Sequence, residues 1–242
     1  MTGKGLRERR REELLGDLRA IAQRHLTENG AAALSLRAVA REAGIAVSAL
    51  YRYFPDRDGL LTDLLVRAFD QQADAVEQAG AAAAGPAVAL TDGLHAYRRW
   101  SVAHPAEFGL AYGTPVPGYR APGEQTIRAG ARVGDFLHHL LVTAYDQDLV
   151  DRAAVARREA RLRPETVEQL TVLRRRRGYG GPVALTALAM DTFVTVHGFV
   201  AMEVFGQLRP VTPDAAGYFD EIVEAQLRAI GLTGAAATPV EP

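Results

Sequence analysis

The chain has 242 residues, no cysteine, 48% hydrophobic and 24% charged residues, and a formal net charge of -1. These are ordinary globular values, fitting one large domain or a small domain joined to a larger one. Without cysteine there is no disulfide framework and no thiolate metal site. With neither an arginine-flanked apolar leader nor an unbroken apolar run of about 18 residues, the expectation is a soluble, cytoplasmic protein with no membrane partner. The charge is unevenly divided: residues 1–58 hold 11 Lys+Arg and 8 Asp+Glu, a balance of +3, and the remainder holds 17 and 21, a balance of -4.

In chain order, Lys4, Arg7, Arg9, Arg10 and Arg11 outweigh Glu8. Such a basic segment suits phosphate-backbone contact, because each neutralised phosphate releases a counterion. Charge by itself favours a solvated, disordered terminus. Leu14, Leu15, Leu18, Ile21, Ala22, His25 and Leu26 then recur at helical spacing, predicting an amphipathic helix over about 8–28 that Asn29-Gly30 ends.

Ser35 can cap a short helix whose inner face is Leu36, Val39, Ala40 and Ala43. Gly44 breaks it, and a second short helix is predicted over about 47–54 with Leu50 and Phe54 inward. Pro55 stops that one, and Asp56 caps a long helix over about 57–79 carrying Leu60, Leu61, Leu64, Leu65, Ala68 and Phe69 at core spacing. Two short helices about a glycine turn, packed on a longer first helix, form the helix-turn-helix plan. The outward face of the second short helix is Val47, Ser48, Tyr51 and Arg52. Small groups there allow close approach, and the two long side chains can reach base edges or phosphates.

Past the low-complexity link at 80–86, helices are predicted over about 87–103 and 105–112, separated by His104-Pro105. Glycines and prolines make 113–123 a loop. One long helix is expected over about 124–148, a weakly helical charged stretch over 149–182 containing Arg174–Arg177, an apolar helix over about 183–206, and a last helix over about 213–230. No segment alternates with period two, so the fold class is all-α.

Residues 34–61, LSLRAVAREAGIAVSALYRYFPDRDGLL, resemble the DNA-binding domain of the tetracycline-repressor (TetR) family. The matching positions are Ser35, Ala40, Ala43, Gly44, Leu50, Tyr51, Tyr53, Phe54, Arg57, Leu60 and Leu61. More weakly, residues 97–105 and 197–206 resemble the C-terminal domain type of that family named for its Trp-His-Gly motif, with Phe193 standing where the tryptophan is expected. The resemblance implies a helix-turn-helix domain over 1–56, a helical effector-binding and dimerisation domain over 57–232, and a flexible tail over 233–242.

It also implies a ligand-responsive repressor. Such a protein would bind a near-palindromic double-stranded DNA operator as a homodimer and be released by a small apolar molecule. An activator, or a DNA-binding regulator without an effector, is the alternative. On the DNA side the implied residues are Ser35, Arg37, Ala46, Val47, Ser48, Tyr51, Arg52, Tyr53 and Arg57. Arg37 is the candidate for a bidentate guanine contact, with a phosphate contact as the competing role. Tyr51, Tyr53 and Arg57 map onto phosphate-gripping positions, and Tyr53 can alternatively be part-buried packing. The effector side is Trp100, His104, Phe108, Tyr112, His138, Tyr145 and His197, an apolar set with scattered polar handles. Dimerisation is assigned to the helices near 183–206 and 213–230 through Leu185, Leu188, Phe193, Val196, Val200, Phe219, Ile222, Val223 and Leu227, an intramolecular core being the competing use of the same face.

Enzyme motifs do not compete. There is no Gly-x-Ser-x-Gly elbow, no phosphate-binding Gly-x-x-x-x-Gly-Lys loop and no dinucleotide fingerprint. His138-His139 with Asp135 lacks metal-ligand spacing, since neighbours on a helix diverge by about 100°. No catalytic residue, metal or cofactor is expected.

Overall fold

The computed structural model describes residues 5–232, and the regular structure there is helical apart from one isolated bridge between Val150 and Leu232. The helices are α1 (Leu6–Asn29), α2 (Leu36–Glu42), α3 (Val47–Leu50), α4 (Arg57–Ala81), α5 (Pro86–Ala103), α6 (Pro105–Tyr112), α7 (Gly123–Gly130), α8 (Arg132–Asp146), α9 (Arg152–Ala160), α10 (Pro164–Arg177), α11 (Val183–Val204) and α12 (Ala215–Ile230). The chain packs as two compact units. One takes in residues up to 71 together with 104–130, and the other takes in 72–103 and 131 onward. The sequence division at residue 56 follows the end of the motif, whereas packing divides the chain within α4. The tail over 233–242 lies outside the described residues.

The reason for the division lies in the core of the first unit. Leu18, Ile21 and Ala22 of α1, Leu36, Val39 and Ala40 of α2, Leu50, Phe54, and Leu60, Leu61 and Leu64 of α4 form one buried cluster. Burying each of the larger side chains contributes about 1.5–3 kcal/mol, so α4 cannot be detached from the motif it follows. Leu110, Val116 and Tyr119 pack on the same cluster. The Tyr119 hydroxyl lies 3.0 Å from Thr62 Oγ1.

Two local expectations are corrected. Ser35 occupies the N-cap of α2 in extended conformation, but its hydroxyl makes no capping hydrogen bond. The recognition helix α3 is a single turn, because Arg52 and Tyr53 donate to the carbonyls of Ala49 and Leu50, three residues back, at 3.3 and 2.9 Å. Pro55 disfavours helical geometry at the residue before it and tightens the exit into such turns. Gly44 ends α2 with φ +66° as expected, and Asp56 caps α4 by accepting the Gly59 N–H at 2.7 Å.

In the second unit α5, α8 and α11 pack together, with α9, α10 and α12 against α11. The single helix expected over 124–148 is broken at Ala131 into α7 and α8. Glycines at 130 and 134 weaken helical continuity there. The interface face assigned to the last helices is also corrected. Leu185, Leu188, Val196, Val200, Phe219, Val223 and Leu227 are buried inside the unit's own core, because α11 is flanked by several helices of its own chain. What α11 exposes is Met190, Val194 and Met202, followed by Phe205. By length and composition α11 is apolar enough to cross a membrane, and more than half of that window is buried in the protein.

The Phe136 ring of α8 sits in a slot made by two glycines. A Cβ at Gly80 of α4 would lie 2.5 Å from the ring, and one at Gly93 of α5 would lie 2.6 Å from it. Alanine elsewhere in a helix interior stabilises by about 0.5–1 kcal/mol relative to glycine. At this slot the overlap reverses the sign: Gly93→Ala is expected to destabilise the protein by about 1–3 kcal/mol, read as a lower midpoint in thermal or denaturant unfolding.

Candidate nucleic-acid interface

Three charged contacts brace the helices that carry the candidate face. The Arg19 guanidinium of α1 makes a bidentate pair with Asp63 of α4, at 2.8 and 2.5 Å. Glu42, at the end of α2, takes Arg24 Nη2 on one oxygen and His25 Nε2 on the other, both at 2.6 Å. The Arg24 hydrogen bond, followed by that of His25, holds the Glu42 carboxyl below the usual carboxylate range. Arg57, the first residue of α4, donates to the carbonyls of Leu34 (3.1 Å), Ala31 (2.9 Å) and Ala32 (3.0 Å).

Arg57 is therefore placed differently from its sequence assignment. Three of its five N–H donors close the loop between α1 and α2, and Nη1 lies 3.9 Å from the Asp58 carboxylate. It acts as a clamp on the framework through Nε and Nη2. Tyr53 is half-buried against the core with Arg11 above its ring, 5.9 Å from the centroid. That is the packing alternative for this residue, although its hydroxyl makes no hydrogen bond among the described residues. Arg7, Arg9, Arg10 and Arg11 lie within the first turns of α1 instead of on a loose arm, and Lys4 is outside the described residues.

The remaining candidates lie on α2, α3 and the turns around them. Arg37, Ala46, Ser48, Tyr51 and Arg52 are exposed, while Ser35 and Val47 are half-buried, Val47 against the core. Among the described residues, the side chains of Arg37, Ser48, Tyr51 and Arg52 make no hydrogen bond or ion pair, so their side-chain donors are uncommitted. Sequence reasoning missed Arg41. It is exposed, equally uncommitted, and four residues beyond Arg37 on the same helix face. That i, i+4 spacing was the available signal.

The seven effector candidates are divided between the two units. His104, Phe108 and Tyr112 belong to the first unit, where Tyr112 packs edge-on to Phe69 and tilts against Phe108. Tyr145 lies under the Arg152 guanidinium. His197 accepts or shares a proton with the Tyr97 hydroxyl at 2.7 Å and stacks on Phe193, and burial lowers its pKa. Trp100 is buried on α5, one turn beyond Tyr97. The tract Arg174–Arg177 is drawn into structure: Arg177 pairs with Asp135, and Arg174 donates to the Gly181 carbonyl.

Two family models match the chain. One, for bacterial regulatory proteins of the tetR family, spans residues 18–64. The other, for a tetracyclin repressor-like C-terminal domain, spans residues 90–226. The chain is 34% identical over 213 residues to the HTH-type transcriptional regulator Rv1816 of Mycobacterium tuberculosis, covering 84% of this chain and 86% of that protein. The chain belongs to the TetR family. TetR-family proteins are transcriptional regulators that bind DNA through a helix-turn-helix, and this one is not an enzyme. The crystal structure of regulatory protein SCO4313 superposes with a TM-score of 0.71 at 28% identity, covering 94% of this chain and all of that one. The TetR-family regulator PfmR of Thermus thermophilus shares the fold, with a TM-score of 0.54 at 19% identity over 86% of this chain and 97% of its own.

His138 is the most perturbed group on this side of the family fold. It is 1% exposed and its ring lies parallel to Tyr179 at 3.9 Å, while the Tyr179 hydroxyl donates to Asp135. Neither ring nitrogen has a hydrogen-bond partner among the described residues. Burial pushes the imidazole down to about 4, against a smaller opposing influence of the nearby Gly180 backbone. The unfolded chain, titrating near 6.5, then binds more protons than the folded one between those values. Stability is therefore expected to be full above about pH 6.5 and to fall by up to about 3 kcal/mol as the pH drops toward 4. His138→Phe keeps the ring stack and should flatten that part of a stability-versus-pH curve.

Proposed function

We propose that this TetR-family chain is a ligand-responsive, cytoplasmic repressor that binds a near-palindromic operator as a homodimer. The observation that carries the reading is the set of uncommitted donors Arg37, Ser48, Tyr51 and Arg52 beside the small Ala46 and Val47, on helices braced by Arg19, Glu42 and Arg57. Arg37 reads a base edge by its planar fork, Ala46 and Val47 approach thymine methyls or the backbone, and Ser35, Tyr51, Arg52 and the Tyr53 hydroxyl hold phosphates. Arg41 joins Arg37 on the same face. The arginines in the first turns of α1 lie at the end of the helix dipole that disfavours cations, a cost that an external polyanion offsets.

A single head buries too little surface for specificity, so two act together. The dimer forms through the outward side of α11 and α12, where Met190, Val194, Met202 and Tyr218 are exposed. In the second unit the effector region is the cluster of Tyr97, Phe193 and His197, with Trp100 one turn along α5 from Tyr97, consistent with a Trp-His-Gly type domain in which Phe193 takes the place of tryptophan. The neutral His197 ring both accepts and donates. Effector binding shifts the population toward a dimer whose heads are misplaced for successive major grooves, with α4 as the lever, since it contributes to both units.

The test is selection of bound sequences from a random duplex pool. A motif with two-fold symmetry and half-sites about one helical turn apart is expected, and Arg37→Ala should weaken specific binding by about 1–3 kcal/mol. An asymmetric motif, or unchanged specificity in that variant, overturns the assignment. Val194, at 60% exposure, gives the second test. Val194→Asp should leave a folded monomer in sedimentation analysis, and a stable dimer would move the interface elsewhere.

A further inference from the structure

The first unit contains a cleft that the operator reading does not use. It lies between α1, α4 and α6, with a volume of about 260 Å³, just below the roughly 300–1,000 Å³ of sites for drug-sized ligands. We infer that this cleft binds a small monocarboxylate with a compact apolar body, held by Arg67 and Gln23, and that the DNA-reading unit thereby carries a ligand site of its own.

The space exists because the facing positions are small. Gly16 and Ala20 on α1 lie opposite Ala68 on α4. Gly16 is in a helix interior, where glycine costs about 0.5–1 kcal/mol relative to alanine. No steric need keeps it there, since a Cβ at Gly16 would meet nothing within 4 Å. The helix gives up stability at a position where a longer side chain would fill the cleft.

The polar lining, which also includes Gln71 and His104, holds donors without partners. Gln23 Nε2 is buried and has no partner among the described residues, and leaving such a donor unsatisfied costs about 1–3 kcal/mol. Arg67 is uncommitted among the described residues, whereas Arg19, at the same cleft, is already neutralised by Asp63. An amide donor and a free guanidinium fork match the two oxygens of a carboxylate. Glu107 on the α6 wall opposes a second negative charge, so a monoanion fits better than inorganic phosphate. Leu64, Ala20 and Ala68 supply apolar contact for the rest of the molecule.

The location gives the site a consequence. α1 and α4 hold α2 and α3 between them through Leu18, Ile21, Leu60 and Leu61. A ligand lodged between α1 and α4 acts on the packing that orients the recognition helix, without passing through the second unit. It changes operator affinity only as far as it favours one α1–α4 spacing over another.

Benzoate is the probe, added to the full chain without DNA, so the result does not depend on the operator assignment. Calorimetric titration should show saturable binding, with benzamide and inorganic phosphate each at least about tenfold weaker. Backbone amide resonances of Gly16 and Gln23 should move on saturation. Arg67→Gln, at an exposed position, should lose at least about tenfold in affinity, and Gly16→Leu should abolish binding by filling the cleft. No saturable binding, unmoved Gly16 and Gln23 resonances, equal binding of benzamide or phosphate, or undiminished affinity in Arg67→Gln would each overturn the inference.

Discussion

The reading unit depends on how one arginine ties down the loop between its first two helices. Beyond α1 the chain makes one short turn over residues 31–33 before α2, with few backbone hydrogen bonds of its own. Arg57 closes the Ala31, Ala32 and Leu34 carbonyls from the first turn of α4. Hydrogen bonds from a charged donor contribute about 1.5–3 kcal/mol each and are more costly to lose than to lack. The clamp therefore fixes where α2 starts relative to α4, and every exposed donor on α2 and α3 inherits its position from that anchor.

Around the clamp, charge and packing divide the labour. Leu36, Val39, Ala40, Leu50 and Phe54 are held by burial against α1 and α4, which sets distance but not direction. The Arg19–Asp63 and Arg24–Glu42–His25 contacts set direction. Such partly exposed pairs contribute little stability individually, about 0–1 kcal/mol. Their geometry is what a base-reading surface needs, because a bidentate contact tolerates little misplacement.

The second unit follows a different logic. Its core is made by α11, whose apolar residues point to nearly every side. Periodicity in such a helix cannot separate the side that packs on its own chain from the side that meets another, because both want the same residues. Hence Leu185, Val196 and Phe219 read as interface and proved to be core, while the exposed Val194 and Met202 went unnoticed. The aromatic set is hard to read for a related reason. His138, Tyr145 and His197 share a composition, but composition does not say which of them face one another.

What the sequence determined by itself was the helical class, the helix-turn-helix with its inward residues, the glycine break at Gly44 and the cap at Asp56. All of these rest on spacings of a few residues along one chain. Only tertiary packing decided that Arg57 is a clamp, that Tyr53 packs beneath Arg11, and that Gly16 opens a cleft while Gly80 and Gly93 close around Phe136. Those outcomes join residues tens of positions apart. A guanidinium, an aromatic ring or a missing Cβ has no preferred partner until folding brings one within reach.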